Sequence, residues 1–141
     1  MRARARAALA GAAAATTWGL LEPLDRRLFR YDYSDIAILG KLVTSGRGWP
    51  AAGFALHAAN GAAFGLAYCE LRRRTGADPR RLALGLALAE NFLLYPLTYF
   101  VDRHHPARGT RGLPPLSTSA RAPAQATARH TLFGLLLARW A

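Results

Sequence analysis

The sequence predicts an all-α integral membrane protein: a bundle of four transmembrane helices with a short interfacial helical segment after the first. Three observations carry that expectation. Gly48 to Cys69 is a run of 22 residues without Asp, Glu, Lys or Arg, Leu82 to Val101 carries a single acid, Glu90, and Ala7 to Leu21 is uncharged throughout. The charges are gathered in clusters between these windows, so a mean hydropathy of +0.05 and a hydrophobic fraction of 52% understate how apolar the windows are.

The first span is expected over about residues 5–22, Ala-rich as far as Ala15 and continued by Thr16, Thr17, Trp18, Gly19, Leu20 and Leu21. A basic start and small residues also describe a secretory signal peptide, but the apolar run continues past any Ala-x-Ala site, which favours an uncleaved span. Glu22-Pro23 should end or kink this helix, because proline lacks a donor and crowds the preceding turn. Residues 24–46 form the interfacial segment. Leu24, Leu28 and Tyr31 recur at helical spacing, and Ser34 can cap a second short helix carrying Ile36, Leu39, Leu42 and Val43, too short to span.

Trp49-Pro50 opens the second span, about 49–71, with an interfacial aromatic and a proline in the first turn. Gly61 and Gly65 stand at the GxxxG spacing that lets another helix backbone approach closely. Asp78 as cap and Pro79 as first residue open the third span, about 80–101, which Pro96 should bend. Residues 102–122 form a polar connector rich in Pro, Gly, Ser and Thr, expected to be mobile or extended. The last span, about 123–140, is interrupted by Arg129; 18 residues reach about 27 Å, just enough for the hydrocarbon core. Three spans with a surface helix in fourth place is the alternative.

With 141 residues there is room for one domain. A net charge of +11 raises the question of nucleic acid, yet the arginines cap apolar runs instead of sharing a face with aromatics. The expected partners are therefore the lipid bilayer, including anionic lipids, and no nucleic acid. Small-residue faces also invite a second copy of the chain or another membrane protein. An inside N-terminus places Arg2, Arg4, Arg6 and the five arginines between Arg72 and Arg81 in the cytoplasm, against Arg26, Arg27, Arg30, Lys41 and Arg47 in the first loop and four arginines in the third on the other side, and the expected localisation is the cell membrane, multi-pass, with both termini cytoplasmic. Cys69 stands alone and forms no internal disulfide.

The costly residues are the polar ones inside the apolar windows. A faint internal repeat pairs Glu22, His57 and Gly61 with Glu90, His130 and Gly134. From the span ends, His57 lies about 12 Å in from Trp49, Glu90 about 14 Å from Arg81, and Arg129 and His130 about 9 Å from Pro123. Glu22, His57, Asn60, Glu90, Asn91, Arg129 and His130 can thus converge in the middle to outer half of the bundle as an intramembrane polar site, with Arg129 as the expected counter-ion of Glu90. The same side chains can serve only as hydrogen-bonding glue between helices.

Two Glu and two His suit Zn, Mn or Fe, but the Glu-x-x-His spacing of a di-iron bundle is missing, so no metal site is assigned and the cofactor stays unknown. His104-His105 reads as part of a solvated connector. No GxSxG, His-Glu-x-x-His or GxxxxGK[ST] occurs, and no catalytic residue is assigned.

Glu22-Pro23-Leu24-Asp25-Arg26-Arg27, Tyr33-Ser34-Asp35 and His57-x-x-Asn60-Gly61-x-x-Phe64-Gly65-x-x-Tyr68 resemble a pattern in uncharacterised small multi-pass membrane proteins of high-GC actinobacteria. The resemblance covers about Trp18 to Glu70, implies a membrane fold, and brings no activity or cofactor. The function expected is that of a non-enzymatic binding, scaffold or assembly component with a polar intramembrane site. A small proton-linked transporter and a membrane metalloprotein or enzyme using the Glu/His cluster are the alternatives.

Overall fold

The computed structural model describes residues 1–141 and is all-helical. Its six helices are α1 (Arg2–Leu28), α2 (Asp35–Val43), α3 (Trp49–Thr75), α4 (Pro79–Leu94), α5 (Leu97–His104) and α6 (Arg121–Trp140). Several ends fall where their chemistry puts them. Ser34 Oγ accepts from the Ala37 N–H at the start of α2, and Asp78 accepts from the Arg81 N–H at the start of α4. Gly76, at φ +64°, closes α3 in the left-handed conformation that glycine adopts without strain. At Pro96 the chain bends by 48° between α4 and α5.

Two expectations are corrected. Pro23 does not end α1, and no separate interfacial helix runs from Leu24 to Tyr31: α1 continues to Leu28 because Glu22 and Asp25, on either side of the proline, are held by tertiary hydrogen bonds. The helix stops instead at Arg30, φ +50°, with Tyr31 N–H returning to the Arg26 carbonyl and Arg30 N–H to that of Arg27, a Schellman closure without glycine. Residues 105–120 are not an extended tether either. Asp102 accepts from the backbone N–H groups of Leu116 and Ser117 and from the Ser117 hydroxyl, while His105, Leu113 and Leu116 are buried. His105 Nε2 donates to the Ile38 carbonyl, docking the segment on α2.

α1 packs antiparallel to α3, α6 packs antiparallel to both α1 and α4, and α2 lies on the first half of α3. α3 and α4 touch little beyond their shared loop, where the Tyr68 hydroxyl donates to the Pro79 carbonyl. The α1–α3 contact is made of backbone. Gly53, His57, Gly61, Gly65 and Tyr68 form the buried stripe of α3, and a Cβ added at Gly61 or Gly65 would lie within 3.0 Å of the carbonyl oxygen of Gly11 or Ala7. Gly61 and Gly65 thus lie against the backbone of α1, and Gly134 plays the matching part in α6 against Ala83, Leu84 and Ala87 of α4.

The distribution of side chains is inverted relative to a water-soluble bundle. Alanines dominate the core, and the largest fully buried side chains include Arg129 and Gln125. Leu9, Leu20, Leu24, Leu28, Leu66, Phe92, Leu93, Leu97 and Phe100 are exposed. The accessible surface of 8436 Å² exceeds the ~7,100 Å² usual for a soluble monomer of this mass. By length and composition no single helix is long and apolar enough to cross a membrane, whereas α4 and α5 together are.

Candidate functional site

At the end of the bundle where α1 stops and α6 begins, Arg129 is buried at 2% exposure among three acids. Its Nε and one terminal nitrogen donate to both oxygens of Asp25, each at 2.6 Å, and the other terminal nitrogen donates to Asp35 at 2.7 Å. Glu22 lies 3.5 Å away, the Tyr33 carbonyl accepts at 2.8 Å, and the Tyr33 ring lies 4.7 Å from the guanidinium carbon. Gln125, one turn before Arg129 on α6, donates to Asp25. A buried guanidinium is tolerated only when its donors are met by well-placed acceptors, and these contacts meet that demand.

The cluster also fixes the α1–α2 turn. Glu22 accepts from the Ser34 hydroxyl and from the backbone N–H groups of Asp35 and Ile36, so its charge faces the N-terminus of α2, where the helix dipole favours an anion. Burial alone would raise the Asp35 carboxyl. Arg129, His57 and the hydrogen bonds from Tyr33 and Arg129 outweigh it and hold Asp35 below the ordinary carboxylate range. Burial, then the Asp35 charge, pushes the Tyr33 phenol well up, and its hydroxyl donates to Asp35 at 2.6 Å.

Beside this cluster lies a cavity of about 220 Å³. Its wall takes His57, Asn60 and Phe64 from α3, Glu90 and Asn91 from α4, His130 and Phe133 from α6, Trp18 from α1, and Tyr33, Asp35 and Tyr95 at one end. The Trp18 ring stands edge-on between His57 and His130, 4.9 Å from each. His130 Nδ1 donates to the Ala126 carbonyl and its Nε2 lies 3.9 Å from Glu90. Asn91 donates to Thr127 across the α4–α6 contact. Trp18 Nε1 and His57 Nε2 are buried without a partner. Asn60 of α3 and Leu94 of α4, both exposed, also line the cavity, and the helices that carry them touch little.

Of the seven residues singled out in the sequence, His57, Asn60, Glu90, Asn91 and His130 meet around the cavity. Glu22 and Arg129 sit in the adjoining ionic cluster, and Arg129 does not pair with Glu90. Successive residues on a helix point about 100° apart, so Arg129 turns toward α1 and α2 while His130 turns toward α4 and takes the place beside Glu90. Sequence reasoning missed Trp18, Asp25, Tyr33, Asp35 and Gln125. The four-residue spacing of Gln125 and Arg129 was the available signal for Gln125; Asp25 and Asp35 were masked by their placement in an interfacial segment. No family model, curated protein or solved structure matches the chain.

Proposed function

We propose that the chain is an integral membrane protein of four spans, α1, α3, the bent α4–α5 pair and α6, and that it binds a small ligand in the cavity instead of performing covalent chemistry. The observation that carries this reading is the side-chain distribution: many exposed Leu and Phe surround a core in which Ala, Gly and buried polar groups outnumber the few large apolar side chains, Trp18, Tyr68, Phe133 and Leu137 among them. In water such a surface is a liability, whereas in lipid the small residues give close helix contacts and the large ones face acyl chains. Between helices in lipid, the polar side chains of His57, Glu90, Asn91 and His130 around the cavity are costly features of the kind retained at functional positions.

The arginines support an orientation. Arg2, Arg4, Arg6, Arg72, Arg73, Arg74, Arg80, Arg81 and Arg139 share one end of the bundle with Glu70 and Asp78 as its acids. The opposite end carries nine bases besides the buried Arg129 (Arg26, Arg27, Arg30, Lys41, Arg47, Arg103, Arg108, Arg111 and Arg121), but they are spread over two longer connections with Glu22, Asp25, Asp32, Asp35 and Asp102 among them, whereas Arg72, Arg73, Arg74, Arg80 and Arg81 crowd one short loop, so the grouping of the bases and not their number supports the orientation. The first end, with both termini, is assigned to the cytoplasm, where anionic lipids meet the arginines. Alkaline carbonate extraction of membranes from expressing cells tests the span assignment: the protein should stay in the pellet, and release to the supernatant would refute it. A second reading, proton-linked transport, is favoured by the contact of Glu90 with His130 inside the cavity. It requires pH-dependent uptake into proteoliposomes that Glu90→Gln abolishes.

A further inference from the structure

Resting on the binding reading above, we infer that the cavity takes an organic cation, an amine with an apolar body, entering where α3 and α4 part. The first ground is charge. Glu22, Asp25, Asp35 and Glu90 are gathered at and beside the cavity, and Arg129 is the one cation buried with them, in a chain whose net charge is +11. Arg129 spends its donors on Asp25, Asp35 and the Tyr33 carbonyl and does not line the cavity, so Asp35 is already paired and Glu90, which no arginine or lysine contacts, sets the sign of the interior.

The second ground is unmet hydrogen bonding. His57 is 6% exposed and its Nε2 has no partner in the chain. His130 gives its Nδ1 proton to Ala126, which leaves Nε2 turned to Glu90 at a distance too long for a good hydrogen bond. An ammonium group has several protons and no lone pair, so it can donate to the Glu90 carboxylate and to an imidazole nitrogen together. The Trp18 N–H, 5% exposed for the whole residue and also unpartnered, offers a donor to an oxygen or water accompanying the amine.

The third ground is the wall. Trp18, Tyr33, Phe64, Tyr95 and Phe133 contribute ring faces and edges, the surface that suits an alkylammonium carrying apolar substituents. A volume of about 220 Å³ exceeds the ~150 Å³ of an apolar cavity that holds benzene, so a small aromatic amine fits. An anion would meet Asp35 and Glu90, and a metal ion would find no grouping of three ligands.

Calorimetric titration of the detergent-purified protein with phenethylamine, 2-phenylethanol and phenylacetate tests the assignment, since the three share one ring and differ in the charge of one group. The amine should bind about tenfold tighter than the alcohol, and phenylacetate weakest. Glu90→Gln should bring the amine to the alcohol's level and leave the alcohol unchanged. Asn60→Asp, at an exposed position of the cavity wall, should tighten the amine alone, which keeps the test decisive if the Glu90 variant does not fold. Equal affinity for amine and alcohol in the wild-type protein would overturn the cation assignment while leaving a binding cavity. Failure of all three to bind would overturn the cavity reading with it.

Discussion

Arg129 and Asp25 grip each other through two parallel hydrogen bonds of 2.6 Å across 104 residues of sequence, tying the first helix to the last. Arg129 is buried and Asp25 only partly exposed, so removing the arginine strands the charges it serves. Arg129→Met should destabilise the protein by about 3–5 kcal/mol, because Asp25, Asp35 and Glu22 would remain without a counter-charge. Arg129→Lys should recover little, since a lysine cannot reproduce the fork. Thermal unfolding in detergent reads both, and a loss below about 1 kcal/mol for Arg129→Met would contradict the network.

Glycines at two positions of the bundle should behave oppositely. At Gly61 an added Cβ lies within 3.0 Å of the Gly11 carbonyl oxygen and of the Ala15 methyl, so Gly61→Val should separate α1 from α3 and unfold the pair. At Gly85 an added Cβ meets nothing within 4 Å, and Gly85→Ala should stabilise α4 by up to ~1 kcal/mol. Melting temperatures of the two variants check the contrast, and equal effects would refute the backbone seam.

Asn91 is buried on α4 and donates to Thr127 on α6 at 3.0 Å. A double-mutant cycle of Asn91→Ala and Thr127→Val should give a coupling of roughly 0.6–1.7 kcal/mol. Additive single effects would mean that the contact does not form in the membrane or in detergent.

Stability should decline at both pH extremes for assignable reasons. Asp35 is held below its ordinary value of 3.8, so its contribution is full above that value and is lost as pH falls through the lower folded one. Tyr33 is pushed above 10.0, so its contribution is full below that value and is lost as pH rises past it. Unfolding midpoints measured against pH should show both limbs. Asp35→Asn should flatten the acid limb, and an unchanged limb in that variant would reject the assignment.

Much of the helical layout was legible because punctuation residues act locally. Trp49-Pro50, Asp78-Pro79, Ser34 and Pro96 mark starts and a bend through backbone chemistry that needs no knowledge of neighbours. Gly61 and Gly65 declared a close approach without declaring to what, and the answer, Gly11 and Ala7, was hidden in an Ala-rich run with no distinctive position. Pro23 does not end α1 because its local penalty is offset by the bonds of Glu22 and Asp25. Residues 105–120 misled because composition described their polarity and passed over Leu113 and Leu116, which dock them.

The site was half legible for a geometric reason. Counting residues from the span ends gives depth, which put His57, Glu90 and His130 near one level, and the three line one cavity. It gives no bearing around the helix axis, and that bearing decides whether Arg129 or His130 faces Glu90.

The sparse contact between α3 and α4 means that chain order and spatial order part company at the tight link of Gly76 to Asp78. That link carries almost none of the assembly, which is sustained by α1 gripping α3 on one flank and α6 on the other. Severed there, residues 1–76 and 77–141 would each keep a complete complementary surface, so the two pieces made as separate polypeptides would re-form the whole by recognition alone.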